Sequence, residues 1–168
     1  MTFKKITFLA VTLILVTSCG IKYGFKQTSI PDNVNTFQVD FFGNLDPIEP
    51  GIERTFTLNL QDLIQDQTRL SIVNSGGDYI YQGEITRYYI APMTATANNT
   101  ASQNRLTIEV NVRFTNTKDE EQSFEKKFSF FYDYPANVLL NGSALDEALD
   151  VIFTQITQDI VNETLTSW

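Results

Sequence analysis

The sequence contains no histidine. That removes the usual general base, the commonest metal ligand and the side chain that changes charge near neutral pH. Ser-His-Asp and Cys-His sites are excluded, as are HExxH and Cys/His zinc sites. Cysteine occurs once, at Cys19, so no intrachain disulfide can form and stability rests on packing. No GxxxxGK[ST] loop and no GxGxxG is present, so no nucleotide-type cofactor is expected. Basic residues are scarce: 12 against 20 acidic, a formal net charge of −8. Such a balance disfavours nucleic acid as a partner, which needs clustered positive charge. It equally disfavours broad electrostatic adhesion to an anionic bilayer. The apolar run Ile6 to Val16 has eleven residues, short of the roughly 20 a membrane-spanning helix needs.

What is present begins with that run. Lys4 and Lys5 precede it, and the small residues Thr17 and Ser18 follow it, the three-part order of an export signal. Val16-Thr17-Ser18-Cys19 resembles the lipobox of bacterial lipoproteins, in which the cysteine sulfur receives a diacylglyceryl group and the leader is cut before it. Cysteine alone supplies the thiolate that this chemistry uses. The alternative, an ordinary secretory signal with an incidental cysteine, leaves unexplained why the single Cys falls where the leader ends. Each buried methylene contributes roughly 0.8 kcal/mol, and one acyl chain holds only marginally, so two or three give durable attachment. Gly20, a non-acidic residue after the cysteine, is compatible by resemblance with sorting to the outer membrane.

The expected organisation is a lipoprotein signal peptide over 1–18, a lipidated N-terminus and flexible tether over 19–35, and one domain over 36–168. Without the leader 150 residues remain, enough for one core. Phe37, Val39 and Phe41 alternate with polar residues as a half-buried strand. Ile52 to Thr68 reads as a helix, with Ile52, Phe56, Leu60, Leu63 and Ile64 at helical spacing. Leu70 to Val73 is a short extended piece, and Asn74-Ser75-Gly76-Gly77-Asp78 is a turn. Tyr79 to Ile90 is a strand, with Gly83 as a bulge and Pro92 as its end. Arg105 to Asn116 is a strand whose Leu106, Ile108, Val110, Val112 and Phe114 share one face. Ser123 to Tyr134 is the last strand. Ser143, with Asp146 three residues on, reads as the N-cap of a second helix ending near Thr166. Its apolar stripe is Leu145, Leu149, Ile152, Phe153, Ile156, Ile160, Val161 and Leu165. The predicted fold class is α+β: a two-layer sandwich with two helices packed on one face of a mostly antiparallel four-stranded sheet.

Taken in order, Cys19-Gly20-Ile21, Thr28-Ser29-Ile30-Pro31, the Asn74 to Asp78 turn with Tyr81-x-Gly83-x-Ile85, Asn104-Arg105-Leu106-Thr107-Ile108 with Val110-x-Val112-x-Phe114, Phe128-Ser129-Phe130-Phe131 and Trp168 resemble the LptE family of lipopolysaccharide-assembly lipoproteins. The resemblance covers nearly all of the chain after the leader. It implies two helices on a four-stranded sheet and no catalysis. It implies an outer-membrane, lipid-anchored, periplasmic-side location, with an LptD-type β-barrel as partner that the lipoprotein plugs and helps assemble. It also implies assistance to lipopolysaccharide transport.

Besides Cys19 for lipidation, the candidate contacts for barrel or lipopolysaccharide are Arg105, Arg113 and Lys127. Arg105 and Arg113 lie on the parity opposite the apolar face of their strand, and guanidinium pairs with phosphate in two prongs. The plainer reading makes these residues solvated cross-strand partners of Glu109 and Glu125. Catalytic and metal residues are expected to be none. A carboxylate hydrolase is not excluded by composition, but Asp119-Glu120-Glu121 falls in a strand-connecting turn, and no EF-hand pattern accompanies it. A lipid-anchored glycan- or lipid-binding module without a barrel stands as the alternative function. Adjacent Phe130 and Phe131 must point to opposite sheet faces, and Tyr79, Tyr81, Tyr88 and Tyr89 cannot all face the core unless the strand bulges.

Overall fold

A computed structural model describes residues 30–46, 49–93 and 102–166. Cys19, the leader, the tether up to residue 29, residues 95–101 of the expected loop and Trp168 lie outside the described residues. In chain order the elements are β1 (Thr36–Val39), β2 (Gly43–Asn44), α1 (Ile52–Gln67), β3 (Ser71–Ile72), β4 (Tyr79–Met93), β5 (Gln103–Asn116), β6 (Phe124–Pro135) and α2 (Gly142–Thr166). The sheet order is β3-β1-β4-β5-β6, with β2 also paired to β4.

The alternation along β5 is obeyed at every step: Leu106, Ile108, Val110, Val112 and Phe114 are buried, and the intervening residues are half-exposed. All eight residues of the α2 stripe are buried, as are Ile52, Phe56, Leu60 and Ile64 of α1. Phe56 joins the layers, meeting Phe42 edge-on at 5.0 Å and Phe153 of α2 at 5.3 Å. Burying one such ring stabilises by about 1.5–3 kcal/mol relative to leaving it in water. Both helices cover the same sheet face. Among the described residues no helix is long and apolar enough to cross a membrane.

The sheet differs from the expected four antiparallel strands. It has six strands and is mixed: β4, β5 and β6 are antiparallel, while β1, β2 and β3 all pair in parallel. Alternating polarity has the same period in either pairing, so the direction of the short strands was invisible to it. β1 and β2 lie end to end along one edge of β4, opposite Tyr79–Tyr81 and Glu84–Ile85. Between them Phe42 turns into the core, its N–H donating to Oγ1 of the buried Thr57 at 3.1 Å.

The bulge also falls elsewhere. Gly83 pairs regularly with Val112, and the register shifts between Ile85 and Arg87. Gly83 is instead needed for close approach, because a β-carbon there would run into the Asn111 carbonyl oxygen and the Phe42 ring. Pro92 does not end β4, which continues to Met93. The parallel neighbours stop opposite Ile85, and a missing N–H is tolerated on an open edge. Ser143 is not the N-cap. The Leu145 N–H reaches the Asn141 carbonyl at 3.4 Å, so the helix starts at Gly142 and Ser143 lies in its first turn. Val34 is fully buried and Ile30 packs on the core. Arg69 donates to the Pro31 carbonyl at 2.9 Å, so the last residues of the expected tether are fastened to the domain.

Candidate functional site

The sheet face turned away from the helices carries the candidate contacts. Cross-strand register arranges it in rows running from β4 through β5 to β6: Ala91-Arg105-Asp133, Tyr89-Thr107-Phe131, Arg87-Glu109-Ser129, Glu84-Asn111-Lys127 and Gln82-Arg113-Glu125. Arg105, Arg113 and Lys127 all emerge on this face, and each is matched by a carboxylate. Arg105 holds Asp133 in two prongs, Nε to Oδ1 at 2.6 Å and Nη2 to Oδ2 at 2.8 Å. Its guanidinium lies 3.6 Å from the centroid of the Phe131 ring. Arg113 meets Glu84 at 2.9 Å and Glu125 at 3.9 Å. Lys127 meets Glu109 at 2.9 Å. The acids that were expected as partners, Glu109 and Glu125, are thus joined by Glu84 and Asp133.

The electrostatics follow the contacts. Hydrogen bonds from Arg105 hold the Asp133 carboxyl below its ordinary range, and Asp133 in turn raises the guanidinium. Lys127 and then Thr86 depress Glu109. The Asn111 amide, ahead of Arg113, depresses Glu84. Arg105 and Arg113 are eight residues apart on one strand, roughly 27 Å at ~3.4 Å per residue. They cannot grip one small anionic group together. Lys127, opposite Asn111, is the diagonal neighbour of Arg113. Lys126 points to the other face, where it reaches Glu163 of α2 at 3.0 Å.

One cation on this face escaped the sequence reading. Arg87 makes no ion pair within 4.0 Å among the described residues, and its guanidinium lies 4.7 Å from the Tyr89 centroid. Simple alternation from Tyr79 and Tyr81 assigns Arg87 to the core side. The extra residue at the bulge reverses the parity, so that Tyr88 is buried with Tyr79 and Tyr81 while Arg87 and Tyr89 face outward. The crowding of four tyrosines was the available signal. Phe131 is exposed and Phe130 partly buried, as their adjacency requires.

Asp119, Glu120 and Glu121 stand exposed in a 3-10 turn, with Asp119 accepting from the Glu121 N–H at 3.2 Å. Between the helices lies an open groove of about 230 Å³, lined by Asp62, Asp66 and Asp150 among others. Among the described residues no group of three or more acidic, His or Cys side chains is placed to hold a metal ion.

The class the fold defines is a two-layer α+β domain with both helices on one sheet face and the other face carrying paired charges. The family model for LptE, lipopolysaccharide-assembly, matches residues 34–164, and the chain belongs to that family. The family is one of non-enzymatic, membrane-anchored lipoproteins, and membership supports a lipoprotein role in lipopolysaccharide assembly. The fold is similar to that of a minor lipoprotein from Acinetobacter baumannii, at 8% identity over 79% of this chain and 94% of that one, TM-score 0.53. It is similar to a protein from Xanthomonas campestris, at 15% identity over 82% and 87%, TM-score 0.53. A hypothetical protein from Chlamydia trachomatis matches at 7% identity over 79% and 97%, TM-score 0.52. No curated protein matches the chain.

Proposed function

We propose that this protein is an outer-membrane lipoprotein, anchored through acylated Cys19 on the periplasmic side, that plugs and helps assemble an LptD-type β-barrel and assists lipopolysaccharide passage to the cell surface. The observation that carries this reading is the LptE family match across nearly the whole folded domain. The uncovered sheet face is the proposed contact surface, with Arg105, Arg113 and Lys127 meeting the barrel wall or its cargo. Work is done by binding. The lipid tether confines the domain near the membrane and raises its effective concentration for a membrane-embedded partner. At the interface the cross-strand ion pairs exchange partners with groups of opposite charge, and such rearrangement favours specificity more than affinity.

Affinity purification of the full chain from detergent-solubilised outer membranes tests the reading. A stoichiometric β-barrel partner is the expected result. Recovery of the lipoprotein alone, with affinity for glycans, would overturn the barrel role in favour of an anchored binding module. Charge reversal at Arg105 and Arg113 together is expected to weaken barrel recovery or lipopolysaccharide binding. Unchanged recovery and binding in that double variant would remove these residues from the interface.

A further inference from the structure

Unpaired backbone groups at the edge of a sheet recruit other strands unless something blunts them. Among the described residues three stretches of edge are open. β3 is only two residues long. The far part of β4, beyond the end of β2, is blocked: Asp46 Oδ2 takes the Tyr88 N–H at 3.0 Å, and Pro92 has no N–H to offer. β6 has neither device. It runs for 12 residues, Phe124–Pro135, in unbroken register with β5, and its one proline is the last of them. Lysines ordinarily guard such an edge, but both of these are neutralised, Lys126 by Glu163 and Lys127 by Glu109.

The ladder shows which groups are left over. The Ala136 N–H donates to the Ser102 carbonyl at 3.0 Å, one step beyond the Gln103–Pro135 pair. Hydrogen-bonding direction alternates along a strand, so the even-numbered residues of β6 turn their N–H and C=O groups to β5. Glu125, Lys127, Ser129, Phe131 and Asp133 turn theirs to the open side, and all five are exposed. We propose that β6 pairs antiparallel with β6 of a second copy of this chain, about a two-fold axis at Phe130, joining two sheets into one. Charge selects that register. Centred on Phe130, the pairing sets Lys127 against Asp133 of the second copy, twice by symmetry, and Phe128 against Tyr132 on the other face. Centred on Ser129 it would oppose Glu125 to Asp133, and centred on Lys127 it would oppose that lysine to itself. Lys127, Ser129, Phe131 and Asp133 of each copy then donate about eight backbone hydrogen bonds in all. The pairing uses the edge of the sheet, goes beyond the barrel-plug reading and stands without it.

The test follows the full chain in detergent micelles across a dilution series, by sedimentation and by amide hydrogen exchange. A dimer that dissociates on dilution is expected, with the Lys127, Ser129, Phe131 and Asp133 N–H groups protected in the dimer and not in the monomer. S129P removes one outward donor and spares the β5 ladder, a place where an edge strand tolerates proline. It should weaken association about thirtyfold, since each dimer loses two hydrogen bonds, with its thermal unfolding midpoint close to the parent's. The exchange pattern of the parent decides the matter even where S129P fails to fold. The proposal is overturned by a monomer at every concentration, by an open series of larger assemblies, by a dimer in which those four amides exchange freely, or by a folded S129P that dimerises like the parent. Protection of the same amides only in the presence of a β-barrel partner would give the edge to that partner and overturn the pairing of copies. A chain that recovers its barrel partner but never dimerises refutes the pairing and leaves the barrel role intact.

Discussion

Gly83 lies in such close contact with Asn111 across the β4–β5 ladder that no side chain fits between them. A β-carbon at Gly83 would overlap the Asn111 carbonyl oxygen and come within 2.7 Å of the Phe42 ring. The backbone oxygen cannot move without breaking the ladder, and Phe42 is pinned through its N–H to Thr57. G83A is therefore expected to destabilise the domain by more than the usual overpacking cost of about 1–3 kcal/mol. Urea unfolding of the variant checks this, and a midpoint equal to the parent's would show that the approach is not tight.

Asp78 ties the start of β1 to the start of β4. Its Oδ2 accepts from the Asn35 and Thr36 N–H groups at 2.8 and 3.1 Å, and its Oδ1 faces Lys118 at 2.8 Å. The hydrogen bond from Lys118, then that from Asn35, holds the carboxyl well below the usual range. A depressed carboxyl stabilises the fold above its unfolded pKa of about 3.9, and that contribution fades as the pH falls towards the folded value. D78N should cost about 1–3 kcal/mol at pH 7, and the gap to the parent should narrow below about pH 4. Equal gaps at pH 7 and pH 3 would contradict the assignment.

Tyr79 and Tyr81 are both fully buried, but only one hydroxyl is matched. Tyr81 donates to Thr164 Oγ1 at 3.1 Å, joining β4 to α2. The Tyr79 hydroxyl has no partner among the described residues. Burial raises both phenols, so they stay neutral across the physiological range. Y81F should lose about 1 kcal/mol, whereas Y79F should be neutral or stabilising because it removes a buried group that lacks a hydrogen bond. Chemical denaturation of the two variants side by side decides it, and the reverse order would overturn it.

Two features of the outward face show where sequence reasoning worked and where it stopped. The placement of Arg105, Arg113 and Lys127 on that face was legible, because one clean alternating run on β5 and its neighbour is enough to assign faces. Their carboxylate partners were only partly legible. Asp133 and Glu84 face Arg105 and Arg113 through strand register, and register is a contact between distant parts of the chain. Simple alternation along β4 would put Arg87 on the core side, but one inserted residue reverses every parity after it.

By itself the sequence determined the two helices, the apolar faces of β5 and β6, the absence of histidine chemistry and the combination of motifs that resembles LptE. These are written in local periodicity and residue type, which neighbouring residues impose on each other whatever the rest of the chain does. Tertiary structure alone decided that β1, β2 and β3 run parallel to β4, that Gly83 serves a close approach while the bulge sits at Thr86, and that Arg87 faces outward beside Tyr89. Each of these depends on which distant segment packs alongside, and the energy that selects it exists only once the layers have closed over a common core.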